Sequence, residues 1–313
     1  MPGIGTPAQR MRLATAGGFG AILLWSTTVA VARGLSEQVG PVTAAAAVYS
    51  VGGVASVIAF LRSSRRRRRI LQLPARYLMG CGTLFVSYML MLFLAIGWSE
   101  SRQQVLEVGL VNYLWPSLTL VLSLAFLRKK ASWVLFPGTL LALAGVFLVV
   151  NQGAAVSWSS LSRNFAGNPA VYSLTFGAAV SWAVYSNLTR RWAGDHEEGG
   201  VILFLPVSAL VLLLVCCFAD EPRNWNGCSV TEALFLGAAT YVGYALWDHA
   251  MRRGNMTLVA AASYLTPFFS TIASCLYLSI VPGAGVWVGC GVLIVGSFLS
   301  WFSVSHDLSG DLT

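Results

Sequence analysis

Charge is what this sequence has least of. Asp, Glu, Lys and Arg together make up 10% of its 313 residues, where a soluble chain carries about a quarter. The charges present are squeezed into short gaps between long apolar runs, with hydrophobic residues at 56% and mean hydropathy at +0.70. That composition excludes a soluble globular domain. The apolar runs use nearly all of the 33.5 kDa, leaving no room for a separate catalytic domain.

The usual marks of catalysis are missing as well. There is no glycine-rich phosphate loop with its lysine, hence no ATP motor. No His, Cys, Asp and Glu cluster has metal-ligand spacing, and no nucleophile has a base at motif distance, so no enzyme, metal or cofactor is expected. His196 and His306 sit in polar flanks. Of the six cysteines, all but Cys228 fall inside apolar runs and read as small hydrophobes, not a disulfide frame. The net charge of +8 and the run Arg65–Arg69 invite a nucleic-acid reading. That run lies between two apolar segments, where cytoplasmic loops are basic anyway. Nucleic acid is therefore set aside; the run reads as a basic cytoplasmic loop, with contact to anionic lipid headgroups a weaker, additional reading.

What is there is a series of apolar runs of about 20 residues, the length that crosses a bilayer. Ten candidate spans are Thr15–Arg33, Pro41–Leu61, Tyr77–Gly97, Val105–Leu127, Ser132–Val150, Val171–Trp192, Gly200–Ala219, Glu232–Met251, Met256–Val281 and Gly285–Val304. Ala30-Val31-Ala32 imitates a signal-peptide cleavage site, but the first span has a counterpart later in the chain, which argues against removal. With the N-terminus cytoplasmic, all of the 20 Lys and Arg except Arg33, Arg102, Arg163 and Arg223 fall on the inside. This predicts both termini cytoplasmic.

The chain also repeats itself. "NYLWP" (Asn112–Pro116) is answered by "SYLTP" (Ser263–Pro267), and the same offset carries Gly138, Gly145, Phe147 and Leu148 onto Gly289, Gly296, Phe298 and Leu299. "FGAILLW" (Phe19–Trp25) is answered by "FGAAVSW" (Phe176–Trp182), and "FVSYML" (Phe85–Leu90) by "YVGYAL" (Tyr241–Leu246). Five helices per half is an odd number, so the second copy enters the membrane from the opposite side. The predicted fold is an all-α integral membrane protein with ten transmembrane helices, arranged as two inverted five-helix repeats around a central cavity. Residues 1–152 form the first repeat, 153–170 an external connecting loop, and 171–313 the second repeat. That symmetry suits alternating access about a site near the bilayer midplane.

The candidate site follows from the interrupted spans. Proline gives no N–H to the carbonyl four residues earlier, so Pro116 and Pro267 release the carbonyls of Asn112 and Ser263. Bare carbonyls in hydrocarbon cost several kcal/mol, roughly, and must face protein or a wet cavity. The prolines are the predicted hinges. Aromatic and polar residues gather at the same depth: Trp25, Ser26, Tyr49, Tyr88, Asn112, Trp115, Trp182, Tyr185, Tyr244, Trp247 and Ser263 are the candidate substrate-binding residues. Asn112 and Trp115 are expected on one helix face at i, i+3. Intramembrane charges are few; Glu107, Asp248, His249 and Arg33 are the candidates for gating or coupling, with Asp248 in reach of Arg252 at i+4. Gly285-x-x-x-Gly289 is a helix-contact pattern.

The stretches "LLWSTTVAVARGLSEQVGP" (Leu23–Pro41), "AAAVYS" (Ala45–Ser50), "LFVSY" (Leu84–Tyr88), "EVGLVNYLWPSLT" (Glu107–Thr119) and "GNMTLVAAASYLTP" (Gly254–Pro267) resemble the bacterial aromatic amino acid exporters of the drug/metabolite transporter superfamily. The resemblance spans nearly the whole chain. It implies a ten-helix basket in the bacterial inner membrane that exports aromatic and other neutral amino acids by alternating access, a monomer sufficing, with membrane lipids around it. An exporter of lipophilic cations or other small metabolites with the same fold is the alternative, since aromatic cavities also suit cations.

Overall fold

The computed structural model describes residues 6–150, 158–194, 196–278 and 284–304, and among these the chain is almost wholly helical. The elements are α1 (Pro7–Val39), α2 (Pro41–Arg62), α3 (Ser64–Leu71), a π-helical turn (Tyr77–Cys81) running into α4 (Gly82–Gly97), α5 (Arg102–Asn112), α6 (Trp115–Phe126), α7 (Leu135–Val150), α8 (Trp158–Gly167), α9 (Pro169–Ala193), α10 (Val201–Cys216), α11 (Gly227–Arg253), α12 (Met256–Ala262), a 3₁₀ turn (Ser263–Leu265), α13 (Thr266–Leu278) and α14 (Ala284–Ser303). Several starts are written in short polar residues that satisfy the first free N–H groups. Thr6 with Gln9 and Asn226 with Ser229 form reciprocal capping boxes, while Ser101 caps Gln104 and Asn255 caps Leu258.

By length and composition, Pro41–Arg62, Tyr77–Gly97, Gln103–Phe126 and Met256–Ala273 can each cross a membrane, and Leu135–Val149, Val201–Cys216 and Trp287–Ser303 are shorter apolar helices. Large apolar side chains such as Leu210, Leu214, Phe218, Phe136 and Phe302 lie exposed, which suits a lipid-facing surface and would aggregate in water.

Packing is pairwise. α1 lies against α11 and α13, α9 against α4 and α6, α2 against α10, and α7 against α14. The α7–α14 contact is backbone on backbone. A Cβ on Gly145 would lie 2.4 Å from the Leu293 nitrogen, and one on Gly296 only 2.1 Å from the Ala142 nitrogen, so glycine at both places lets the helices touch.

Contacts also sort the two ends of the bundle. One end holds α3, the 196–200 segment, Arg190, Arg252, Arg253 and Lys129, whose Nζ donates to Thr257 at 2.7 Å. The other holds Glu107, Gln38 paired with Glu232, and Glu221, whose carboxylate accepts from the backbone N–H groups of Val42 and Thr43 at 2.9 and 2.7 Å.

Three elements differ from the sequence expectation. The arginine run is helical (α3), started by the Ser63 side chain accepting from Arg66. The connection expected as a loop carries α8 over residues 158–167, while 151–157 lie outside the described residues. And the segment 105–127 is two helices, not one kinked helix. α5 stops at Asn112, Tyr113 and Leu114 make a turn, and Pro116 stands in the first turn of α6, where its missing N–H is harmless. Asn112 and Trp115 therefore do not share a continuous helical face.

Candidate functional site

Five separate helices and one half-helix bring their rings to a single place. Trp182 on α9 is its hub, with ring centroids 4.7 Å from Tyr88, 5.1 Å from Tyr185, 5.6 Å from Tyr244, 6.0 Å from Trp247, 6.2 Å from Trp25 and 6.3 Å from Trp115. Tyr49 joins through its hydroxyl, 2.9 Å from that of Tyr244. Phe85, which periodicity placed inside a span without marking it, sits 5.1 Å from Tyr244 and 5.5 Å from Tyr185. Met89 is a second unforeseen member, its sulfur accepting from the Tyr49 hydroxyl. The repeated stretch, F-V-x-Y in the first half and Y-V-x-Y in the second, carried the signal for Phe85; nothing in the sequence singled out Met89.

These rings are packed, where a chamber was expected. Trp247 and Tyr185 are 0% exposed and Trp182 2%, and centroid spacings of 4.5–7 Å are those of rings in contact. Two concavities lie elsewhere: one of about 420 Å³ beside Val111, Phe165 and Phe176, and one of about 340 Å³ between α4 and α10. The cluster thus closes on itself, and a solute reaches it only if the rings part.

In and beside it, two buried polar atoms lack hydrogen-bond partners among the described residues: the indole Nε1 of Trp247, a donor, and Oδ1 of Asn112, an acceptor. Leaving such groups unmade costs roughly 1–3 kcal/mol each. Trp115 links the two, packing edge-on to Trp247 at 5.3 Å and lying just across the helix break from Asn112.

The second break is more fully satisfied than expected. The Ser263 carbonyl, predicted to stand free, accepts from the Thr266 hydroxyl at 2.7 Å, and the Ser263 hydroxyl donates to Ala260 O at 2.6 Å. Ser263 is fully buried with its polar groups committed locally, so the structure does not bring it into the aromatic cluster. Ser26 spans the gap instead: its hydroxyl reaches Ile22 O at 2.7 Å and Thr266 O at 3.2 Å, tying α1 to the start of α13. Pro267, like Pro116, occupies the first turn of a new helix.

Below the rings, toward the basic end, lies a buried charge network. Asp248 Oδ2 accepts from Arg252 Nε at 2.9 Å, with both side chains 3% exposed. Tyr77 and Tyr185 donate to Asp248 Oδ1 at 2.9 and 3.3 Å. The Tyr77 hydroxyl in turn accepts from the Gly200 N–H at 2.9 Å, and Arg252 Nη1 donates to His196 O at 2.6 Å. Gly199 abuts the pair so closely that a Cβ there would fall 1.7 Å from Asp248 Oδ2. The network therefore pins α11 to the π-turn, to α9 and to the 196–200 segment at once. Tyr77 was missed because it reads as an ordinary residue at the start of a span.

At the opposite end Glu107, fully buried, accepts from Asn164 Nδ2 at 3.1 Å and from the Tyr172 hydroxyl, joining α5 to α8 and α9. His249 is on the exposed side of α11. The side chain of Arg33 and all of His306 lie outside the described residues. Among the described residues no group of three or more His, Cys, Asp or Glu is placed to hold a metal.

The EamA-like transporter family matches twice, over residues 13–151 and 170–302. The chain is 36% identical to "Aromatic amino acid exporter YddG" of Salmonella typhimurium (strain 14028s / SGSC 2262) over 93% of its length and 97% of that protein's. It is 35% identical to the protein of that name from Escherichia coli (strain K12), over 93% and 97%. It is 30% identical to the one from Ancylobacter novellus, over 91% and 95%. A solved crystal structure superposes with a TM-score of 0.76 at 25% identity, covering 92% of this chain and 96% of the other.

Proposed function

Since this chain belongs to the EamA-like transporter family, we propose that it is a multi-pass inner-membrane secondary transporter that exports aromatic and other neutral amino acids by alternating access. The observation that carries the site is the ring cluster around Trp182 with its unpaired Trp247 N–H and Asn112 Oδ1. An aromatic amino acid presents a ring for stacking, a carboxylate that accepts hydrogen bonds and an ammonium that donates them. The cluster offers rings to the first, Trp247 Nε1 to the second and Asn112 Oδ1 to the third. Binding would then satisfy two groups that the empty protein leaves orphaned.

The same reading gives the halves their roles. Residues 1–152 and 171–313 act as two inverted repeats of five spans, both termini cytoplasmic, and a single chain forms the pathway. The reciprocal packing of α7 with α14, and the exchange of α1–α11 for α9–α4, support that symmetry. So does the double family match. The Asp248–Arg252 network is the inner gate and the Glu107–Asn164–Tyr172 contact the outer one, with the breaks at Pro116 and Pro267 as hinges. Both buried carboxylates are already engaged, one by a guanidinium, which disfavours a lipophilic-cation exporter that would need a free anionic partner in the cavity.

Efflux of radiolabelled phenylalanine from proteoliposomes tests the proposal. Saturable flux competed by tyrosine and tryptophan, and unaffected by cationic dyes, is the expected result. Dye competition without amino acid competition would transfer the assignment to the cation exporter.

A further inference from the structure

The arginines of α3 are not all used by the fold. Arg66 Nε lies 3.3 Å from Glu198 Oε2, and Arg69 pairs with Glu197; three residues apart, they share the face turned to the 196–200 segment. Arg65 and Arg68, also three apart, occupy a different face, are exposed, and have no ion pair among the described residues. Arg76, at the entrance to the π-turn, is exposed too.

Directly after Arg76 in the chain begins the apolar groove of about 340 Å³ between α4 and α10, walled by Leu78, Met79, Val86, Leu203, Phe204 and Val207. Met79 and Val207 stay 73% and 48% exposed along it. α3 crosses from the end of α2 to the start of this groove, and its paired face grips the segment that opens α10. Exposed arginines thus flank the groove on both sides in the chain: Arg76 just ahead of its π-turn wall, and Arg65 and Arg68 on the helix tied through Glu197 and Glu198 to the start of its α10 wall.

That juxtaposition matches an amphiphile carrying phosphate. Guanidinium groups hold phosphate bidentately, and an apolar groove takes a hydrocarbon chain but offers nothing to a water-soluble anion. We infer that α3, Arg76 and the α4–α10 groove bind an anionic phospholipid. Its headgroup rests on Arg65, Arg68 and Arg76, and one acyl chain lies against Leu78, Phe204 and Val207. A zwitterionic lipid carries the same phosphate with its own cation beside it and gains less from three arginines. Phe204 stands between this groove and the aromatic cluster, its ring 5.8 Å from that of Phe85 and 6.4 Å from that of Tyr185, and the headgroup contacts do not depend on what the protein transports.

The test uses the purified full chain in detergent, titrated with phosphatidylglycerol or phosphatidylcholine and read by thermal unfolding and by native mass spectrometry of retained lipid. Phosphatidylglycerol is expected to raise the unfolding temperature and remain bound, with phosphatidylcholine much weaker. Replacing all three arginines (R65Q, R68Q, R76Q) should raise the phosphatidylglycerol concentration needed on the order of 100-fold. Removing Arg10 and Arg12 (R10Q, R12Q) should leave it unchanged, and equal loss in that control would reduce the effect to bulk charge and overturn the site. Val207→Trp fills the groove without touching a charge, so it decides the question even if the triple variant fails to fold; full lipid retention by it would overturn the proposal. Equal response to phosphatidylcholine, or reproduction of the effect by inorganic phosphate, would overturn it as well.

Discussion

Trp247 Nε1 can only donate and Asn112 Oδ1 can only accept, and neither has a hydrogen-bond partner among the described residues. Trp247→Phe keeps a ring in the cluster and removes the donor. No internal hydrogen bond is lost, so the only stability cost should be the void left by the smaller ring, a modest fall in unfolding temperature. If the N–H meets the substrate carboxylate, a charge-assisted bond worth about 1.5 kcal/mol or more disappears, and the half-saturating phenylalanine concentration for efflux should rise about tenfold. An unchanged half-saturation would remove Trp247 from the substrate. Asp248 is the opposite case, a group whose partners are all internal. Asp248→Asn leaves Arg252 buried at 3% exposure without its counter-charge. That should cost about 3–5 kcal/mol of stability in detergent. Replacing both partners by apolar residues (D248L with R252M) should recover most of that stability, and the paired denaturation curves check it. Should the double variant be no better than the single one, the charge pair is not what destabilises Asp248→Asn.

Among elements, several of the long helices were legible and the short polar helices were not. Runs of about 20 apolar residues marked α2, the π-turn with α4, and α9 to within a few residues, because hydrocarbon forces long apolar segments. α3 and α8 carry no such run. α3 is built from arginines whose helicity rests on a Ser63 cap and on Glu197 and Glu198 from another part of the chain, partners no local pattern reveals. The site was legible as a list of aromatic residues at one depth, but their mutual packing and the commitment of Ser263 to its own turn depend on tertiary contacts. The prolines illustrate both sides: their positions marked a discontinuity, yet the chain restarts a helix at each instead of bending one. Pro116→Ala restores an N–H toward Asn112 O and favours fusing α5 with α6. If the break is the proposed hinge, the expected phenotype is unfolding at or above the wild-type temperature together with a more than tenfold drop in efflux. Gly296→Leu is predicted to do the reverse of a mild change. With a Cβ 2.1 Å from the Ala142 nitrogen, α14 must leave α7, costing at least about 4 kcal/mol, seen as loss of folded protein on size exclusion.

For the molecule as a whole, alternating access requires that the basic end open while the opposite end stays shut, and the native Cys81 is placed to report it. It is fully buried in the π-turn, one helical turn from Tyr77, which bonds Asp248. As long as Asp248, Arg252, Tyr77 and Tyr185 hold together, a maleimide in the aqueous phase has no way to its sulfur. In a protein whose other five cysteines are replaced by serine, Cys81 should therefore label slowly from the basic side and not at all from the other. Weakening the network by Tyr77→Phe removes the bonds to Asp248 and to the Gly200 N–H while leaving the buried charge pair intact. The loss of two such hydrogen bonds, about 1–1.5 kcal/mol each, should shift the population toward the open form and speed labelling on the order of 50-fold. Phenylalanine supplied from the opposite side should alter that rate in wild-type protein, since a solute bound among the rings prefers one closure over the other. A labelling rate indifferent to both Tyr77→Phe and substrate would mean that this end does not open, and the network would then be a fixed strut of the scaffold.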